Sequence, residues 1–280
     1  MTADDDFDAL LRGEPGAPVA VPGEEGHRAG FGWAVGSVAV AVLGAGVLAG
    51  TLILSTTNQA APLPAAAAPT GNVTAPAAPT PAAPRAQEST PMGITEAADP
   101  GWVDDVSAQT GIPPRALAAY AGASLQAATE YPGCGLGWNT LAGIGHVESH
   151  HGQINGSHLD STGTATPAII GIALTGHTTE SIPDTDAGRL DGDTVWDRAV
   201  GPMQFIPTTW DEWGADGNGD GVKDPQNIDD STLAAARYLC HIGGDLTQPD
   251  RWIAAIAAYN NTIEYNNSVA DAAAHYANAG

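Results

Sequence analysis

The sequence predicts a mainly α (α+β) fold, in which short helices surround a small irregular or β insertion and one N-terminal transmembrane helix precedes the domain. Three observations support this prediction. Residues 30–55 contain no charged side chain. Helix-type patterns separated by Gly and Pro breaks follow residue 99. Between Gly152 and Val200 the composition changes to one rich in Gly, Thr, Asp and Pro, which is typical of an irregular lobe or a small sheet.

The N-terminal segment, residues 1–29, has an acidic run and scattered Gly and Pro without an apolar period. Such a composition predicts disorder. The uncharged segment that follows, residues 30–55, is long enough to cross a hydrocarbon core of about 30 Å, which predicts a transmembrane helix.

Basic residues are distributed asymmetrically around this span. Arg12 and Arg28 precede it, and the next basic residue is Arg85. The positive-inside rule therefore places the N-terminus in the cytoplasm and the rest of the chain outside, as in a single-pass protein of the cell membrane. A signal peptide cleaved near Asn58 is the alternative, but its n-region and its apolar run would both be unusually long.

Residues 56–98 are rich in Pro, Ala and Thr, which favours an extended tether. At about 3.1 Å per residue the tether would span on the order of 100 Å. Residues 99–280 are expected to form one globular domain. The net charge of −23 repels phosphate backbones, so nucleic acid is an unsuitable partner.

The two cysteines of the chain, Cys134 and Cys240, have no partners at metal-ligand spacing. A disulfide between them is the simplest interpretation, and two buried free thiols are the alternative. The expected helices run from Ile112 to about Thr129, from Asp229 to about Cys240, from Asp250 to Tyr259 and from about Val269 to Tyr276, with a strand candidate beginning at Pro167.

One carboxylate falls on the apolar stripe of a predicted helix. Glu148 follows Leu141, Ile144 and Gly145 at i+7, i+4 and i+3, so it should face the core. Gly152 is expected to cap this helix, which would place Glu148 in the penultimate turn. Burial raises the pKa of a carboxyl, and a protonated carboxyl suits a general acid. The alternative is a Glu that reaches solvent or pairs with Arg.

Two further segments carry polar groups in apolar surroundings. In the segment 201–210, Gln204 stands between Met203 and Phe205, and a buried Gln requires partners. Tyr259 and Asn260 end a predicted helix with a phenol and an amide, groups that suit recognition of a sugar.

In this order, Glu148-Ser149, Gly201-Pro-Met-Gln-Phe-Ile-Pro and Ala258-Tyr-Asn resemble the motifs of the lysozyme-like lytic transglycosylases of the membrane-bound B type, which cut bacterial peptidoglycan. The resemblance covers about residues 100–276. It implies a lysozyme-like domain with Glu148 as the catalytic acid. It also implies a set of substrate-binding residues: Ser149, Met203, Gln204, Phe205, Tyr259 and Asn260.

The resemblance further implies non-hydrolytic chemistry at the bond between MurNAc and GlcNAc. One Glu protonates the glycosidic oxygen and later takes a proton from the 6-hydroxyl of the sugar, which leaves a 1,6-anhydro end. No catalytic cofactor is needed. Two alternatives stay open. A hydrolytic muramidase would need a second carboxylate, for which Asp191, Asp193 and Asp197 are candidates, and a wall-binding module on the same fold would need no catalysis.

A loop with the spacing of a calcium-binding EF-hand follows the Gln204 segment. Gly221 stands at position 6 of this loop, whereas Asn227 replaces the usual Glu at position 12. Either Asp229 or Asp230 would complete the shell, or the affinity for the ion would be modest. We expect a structural Ca²⁺, with metal-free Asx-turns as the alternative. The expected ligands are Asp216, Asn218, Asp220, Val222, Asp224 and Asn227.

Three histidines surround Glu148 in the sequence. His146 and His150 lie on one helix face, but Glu148 is about 200° away from each of them at 100° per residue. The zinc-protease pattern His-Glu-x-x-His is absent. Zinc would bind at His146 and His150 only if a third ligand were supplied, and we expect these histidines to face solvent.

Overall fold

The computed structural model describes residues 93–176 and 179–278, together with Ala75 and Ala82. The predictions for the N-terminal segment, the transmembrane helix and nearly all of the tether lie outside these residues. Within the described ranges, no helix combines the length and the apolar character needed to cross a membrane.

Helices make up most of the described chain, and the strands are short. The helices are α1 Pro100–Thr110, α2 Pro114–Glu130, α3 Trp138–Ser149, α4 Pro207–Trp213, α5 Ile228–Gly243, α6 Pro249–Tyr259 and α7 Ile263–Ala277. Two 3₁₀ helices, Ile94–Ala97 and Ile154–Gly156, accompany them. The strands β1 His158–Leu159 and β2 Ala165–Thr166 form one antiparallel pair, and β3 Ile170–Ala173 and β4 Arg198–Val200 form another. The prediction of a mainly α fold with small strand content is confirmed.

Side-chain caps and prolines define most helix starts. The Asp99 carboxylate accepts the Trp102 N–H at 2.9 Å, and Pro occupies the first turn of α1, α2, α4 and α6. The last helix begins at Ile263 rather than near Val269, because the Thr262 hydroxyl accepts the Tyr265 N–H at 3.3 Å. This earlier start brings Tyr265 into the helix.

The segment 93–98 packs against the helical domain. Ile94 and Ala98 are buried, and the Ile94 N–H donates to the Gly217 carbonyl at 2.8 Å. Gly122 of α2 lies so close to the Ile94 carbonyl that a Cβ there would overlap it. The boundary at residues 98 and 99 expected from composition therefore falls inside a packed segment.

The core forms where α3 packs between α2 and α7 and where α5 packs on α2 and α6. Trp138, Leu141 and Ile144 of α3 are fully buried. At Gly143 the helices α3 and α7 approach so closely that an added Cβ would lie 2.9 Å from the Val269 carbonyl oxygen. The small residue thus sets the crossing point of these two helices.

A disulfide joins Cys134, just before α3, to Cys240 near the end of α5. The two cysteines are 106 residues apart in sequence. The Leu246 N–H also donates to the Cys134 carbonyl at 2.7 Å. These links hold the start of α3 against the end of α5.

Candidate active site

Glu148 lies in the last turn of α3. The helix ends at Ser149, and His150 follows in the left-handed region with a φ of 51°. The expectation that Gly152 caps this helix, with Glu148 in its penultimate turn, is therefore wrong. His150 terminates the helix instead, and its N–H donates to the His146 carbonyl at 2.9 Å.

The environment of Glu148 holds its carboxyl in the protonated form near neutral pH. The side chain is half-buried, and burial raises its pKa to about 8. The Tyr265 hydroxyl of α7 donates to Oε1 of Glu148 at 2.6 Å, which acts in the opposite direction by stabilising the carboxylate. Burial is the larger effect.

Ser149 does not line a cleft, contrary to what the resemblance implied. It is fully buried. Its hydroxyl donates to the Pro202 carbonyl at 2.6 Å and accepts the Gly152 N–H at 2.8 Å. Ser149 therefore joins the end of α3 to the turn that carries Gln204.

The turn from Gly201 to Gln204 is closed by two hydrogen bonds between Val200 and Phe205, at 2.9 and 3.0 Å. Gly201 has a φ of 78°, and a Cβ at this position would overlap the Pro225 carbonyl. Gln204 also adopts a positive φ, of 48°, and its Nε2 donates to the Gly201 carbonyl at 3.0 Å. The turn leaves the Gln204 side chain half-buried.

Met203 and Phe205, the neighbours of Gln204, were expected to contact substrate, but their side chains lie in the core. Met203 is fully buried, and Phe205 is 2% exposed. The Phe205 ring packs edge-to-face against Trp210 and Tyr259. Both side chains therefore belong to the core beneath the turn. Met203 and Phe205 point inward, and Gln204 between them is only half-buried.

Tyr259 at the end of α6 is half-buried, and its hydroxyl donates to the Met203 carbonyl at 2.7 Å. Burial and the nearby Glu148 charge raise the pKa of Tyr259 well above its ordinary value. Asn260 is exposed, and its Oδ1 accepts the Thr262 N–H and hydroxyl, each at 3.1 Å. The structure thus brings Tyr259 close to Glu148 and to Met203, the neighbour of Gln204 in the turn.

Tyr265 was not among the residues singled out from the sequence. It was missed because the last helix was expected to begin near Val269. Thr262, three residues before Tyr265, is a preferred N-cap residue and would have indicated the earlier start.

The three acidic candidates for a second catalytic carboxylate make their contacts within residues 158–200, the segment that contains β1 to β4 and that we call the β lobe. The fully buried Asp197 accepts the Thr185 N–H and hydroxyl. Asp191 accepts the N–H groups of Asp193 and Arg198. Asp193 pairs with the Arg198 guanidinium at 2.9 Å.

The histidines near Glu148 do not face solvent as expected. His146 and His150 are half-buried, with ring centroids 5.2 Å apart. His151 is only 6% exposed. Its Nδ1 is hydrogen-bonded to the Tyr120 hydroxyl and its Nε2 to the Tyr276 hydroxyl, at 3.1 and 3.0 Å.

The predicted calcium loop is rich in carboxylates that accept backbone N–H groups. Asp216 accepts the N–H groups of Gly219, Asp220 and Gly221, and Asp220 accepts that of Val222. The prediction of Asn227 as a calcium ligand is wrong. Its side chain is 2% exposed, and its Oδ1 caps α5 by accepting the Asp229 N–H.

Two acidic residues follow Asn227 and have different partners. Asp229 forms a bidentate pair with Arg115, with both distances 2.7 Å. Asp230 is fully buried and accepts the N–H groups of Gly217, Asn218 and Asp224, so it joins both ends of the loop. Burial raises the pKa of Asp230 to about 6.

A different acidic group has its oxygens close together. Asp184, Asp186 and Asp197 each place a carboxylate oxygen within 4.8 Å of the other two, in the part of the chain that the structure describes. The loop carboxylates do not form such a group. Asp184 and Asp186 accept backbone N–H groups of their own turn.

The comparison with protein families identifies one match. The family described as Transglycosylase SLT domain matches residues 115–275, which is more than half of the chain. The match includes Glu148, the Gln204 turn, Tyr259 and Tyr265. No curated protein and no solved structure matches the chain.

Proposed function

Because the chain belongs to the Transglycosylase SLT domain family, a family of lytic transglycosylases that act on peptidoglycan, we propose that it is a transglycosylase of the membrane-bound B type with Glu148 as its single general acid and base. The substrate bond is the β-1,4 bond between MurNAc and GlcNAc. The observation that carries this proposal is the half-buried Glu148 carboxyl, with its pKa raised to about 8 and the Tyr265 hydroxyl on its Oε1.

In the first step, protonated Glu148 donates its proton to the glycosidic oxygen. The bond between this oxygen and the MurNAc anomeric carbon breaks, and the oxygen leaves with GlcNAc as a hydroxyl. The N-acetyl group of MurNAc assists at the anomeric carbon. Glu148 is then a carboxylate, which the Tyr265 hydrogen bond stabilises.

In the second step, the Glu148 carboxylate takes a proton from the 6-hydroxyl of the same MurNAc. The 6-oxygen bonds to the anomeric carbon as the N-acetyl oxygen leaves it, which gives the 1,6-anhydro product, and the proton taken from the 6-hydroxyl restores the protonated Glu148. No water is consumed. A pKa of about 8 suits both steps, because a general acid and base is most effective when its pKa lies near the working pH.

The hydrolytic alternative is less well supported. A hydrolase of the two-carboxylate type needs a second carboxyl group across the scissile bond. Asp191 and Asp197 are buried and hydrogen-bonded within the β lobe, and Asp193 is paired with Arg198. Each of them contributes to the local structure instead.

The substrate-binding groups that we retain are Gln204, Tyr259 and Asn260. Gln204 and Tyr259 are half-buried, and Asn260 is exposed. A non-catalytic wall-binding module would share such groups, but it would have no use for a carboxyl whose pKa is raised to about 8 beside a hydroxyl donor.

We also propose a structural Ca²⁺ in the loop 216–224. Carboxylate and carbonyl oxygens are the ligands that Ca²⁺ prefers, and the donors are Asp216, Asn218, Asp220, Asp224 and the Val222 carbonyl. Of the two residues expected to complete the shell, Asp230 is the candidate, since Asp229 is paired with Arg115. Its Oδ2 accepts a single N–H group, from Asp224, whereas its Oδ1 accepts two. The ion would stabilise the loop and take no part in catalysis.

The proposed location is the outer side of the cell membrane. The uncharged segment 30–55 would anchor the chain, and the tether 56–92 would hold the domain toward the cell wall. A membrane fraction treated with protease from outside should lose the domain and keep the N-terminal segment.

Digestion of purified cell-wall sacculi tests the activity. The wild-type protein should release soluble glycan fragments. The Glu148→Gln variant should bind sacculi but release no fragments. Release of the same fragments by Glu148→Gln would show that Glu148 is not the catalytic acid. Absence of fragments with both proteins would favour a binding module.

A further inference from the structure

His151 is a buried histidine that joins three helices at the end of α3. It lies in the left-handed region, with a φ of 61°, and this backbone directs its ring inward. The ring is hydrogen-bonded to Tyr120 of α2 on one side and to Tyr276 of α7 on the other. The Tyr120 hydroxyl also lies directly against Gly145, one turn before Glu148.

The ring of His151, which bridges Tyr120 and Tyr276, stays in its neutral form. Burial, together with the neighbouring His146 and His150, lowers the pKa of His151 to about 3. The other titratable groups that face the ring are the phenols of Tyr120 and Tyr276, whose pKa values burial raises. His151 is therefore neutral throughout the range in which Glu148 titrates.

Tyr276 shares α7 with Tyr265, the donor to Glu148. The two tyrosines are eleven residues apart, which at 100° per residue places them about 20° apart around the helix and three turns apart along it. Between them, α7 lies close to α3 at Gly143, where an added Cβ would fall 2.9 Å from the Val269 carbonyl oxygen. The buried Asn139 amide of α3 also donates to the Ala273 carbonyl of α7 at 3.0 Å. These contacts hold the middle of α7 on α3, and the hydrogen bonds of Tyr265 and Tyr276 lie on either side of them.

We infer that His151 is a positioning residue for the catalytic carboxyl: by bridging Tyr120 and Tyr276 it fixes the crossing of α7 over α3, and so keeps the Tyr265 hydroxyl on Glu148. The inference rests on the proposed function of Glu148. Loss of the bridge would leave the end of α7 without its contact to α2, so that α7 can shift slightly on α3 and the hydrogen bond from Tyr265 lengthens. The groups that face Glu148 are Tyr265 of α7 and Tyr259 of α6.

The test is the pH dependence of kcat for the full-length protein on purified glycan strands. His151→Phe keeps a ring and removes both hydrogen bonds. We expect kcat to fall about threefold to tenfold, the size expected for one weakened hydrogen bond, with KM nearly unchanged. The alkaline limb of the kcat profile should move to higher pH, as it should in Tyr265→Phe, because the carboxylate loses its donor.

Three further variants make the test specific. Tyr276→Phe removes one hydroxyl and should shift the limb in the same direction, even if His151→Phe does not fold. The double variant His151→Phe with Tyr265→Phe should shift the limb no further than Tyr265→Phe alone. Asp271→Asn, at an exposed position of the same helix, should leave the profile unchanged.

An alkaline limb that stays in place in both His151→Phe and Tyr276→Phe, while the melting temperature falls, would overturn the inference and leave His151 a purely structural residue. Additive shifts in the double variant would also overturn it. A wild-type protein that forms no anhydro product would instead remove the proposed function, so the two failures are distinguishable.

Discussion

The Tyr265 hydroxyl donates a 2.6 Å hydrogen bond to Oε1 of Glu148, across the junction of α7 and α3. Burial favours the protonated carboxyl and this bond favours the carboxylate, so the two effects on the Glu148 pKa oppose each other. Since burial is the larger effect, the resulting pKa of about 8 makes both forms accessible near neutral pH. The proposed mechanism needs both forms in alternation.

Tyr265→Phe should lower kcat and move the alkaline limb of its pH profile upward. The hydroxyl lowers the Glu148 pKa, so its removal raises it. A general acid stays protonated to higher pH when its pKa rises, whereas the carboxylate of the second step becomes less stable. Steady-state rates measured between about pH 5 and pH 10 would show this, and an unmoved or lowered limb would disprove the role of Tyr265.

Glu148→Gln should stabilise the fold increasingly as pH rises from about 4.5 to about 8. The folded-state pKa is raised above the ordinary value of 4.5, so the folded state holds a proton that the unfolded state has released within this window. The wild type therefore loses stability as pH rises, and the Gln variant does not share this loss. Melting temperatures of both proteins across the window provide the measurement. A difference independent of pH would show that the carboxyl is not buried.

Calcium should raise the melting temperature, and more at about pH 7.5 than at about pH 5. Burial raises the pKa of Asp230 to about 6, so protons compete with the ion at the lower pH. At a calcium concentration about 100 times Kd, the added stability is about 2.7 kcal/mol. Asp220→Ala should abolish the effect, and Asp104→Asn, an exposed change on α1, should leave it intact. A melt insensitive to both calcium and chelator would remove the proposal.

Removing the disulfide should destabilise the domain without altering the reaction. The bond closes a loop between residues 106 apart, and loss of a native disulfide of this kind typically costs about 2–5 kcal/mol. Urea unfolding of Cys134→Ser with Cys240→Ser measures this cost. If reduction leaves the unfolding midpoint unchanged, the two cysteines do not support the fold.

Local signals in the sequence located most of the helices. Prolines and Asp or Asn caps mark helix starts through their own backbone and side-chain chemistry, so α2, α5 and α6 begin within a few residues of the predicted positions. The start of α7 was missed because Asn266, Asn267 and Ser268 interrupt the apolar pattern, which becomes clear only near Val269. The stop of α3 was misplaced because a non-Gly residue, His150, adopts the left-handed conformation that the sequence pattern assigned to Gly152.

The site was harder to predict than the helices, because its contacts are tertiary. Glu148 could be singled out from its position on an apolar stripe. Ser149 and Met203 were expected at the substrate, but the folding of the Gly201 turn onto α3 and α6 buries both of them. The Tyr265 contact joins residues 117 apart in sequence, and no local pattern indicates such a pair.

The mass of the products formed in ¹⁸O-labelled water tests the central claim most directly, namely that the single carboxyl of Glu148 cleaves the glycan without water. We predict that wild-type protein releases anhydro-ended fragments, one water lighter than hydrolysed ones and free of ¹⁸O, and that Glu148→Gln releases none. Fragments with reducing ends that carry ¹⁸O, or undiminished release by Glu148→Gln, would contradict the account.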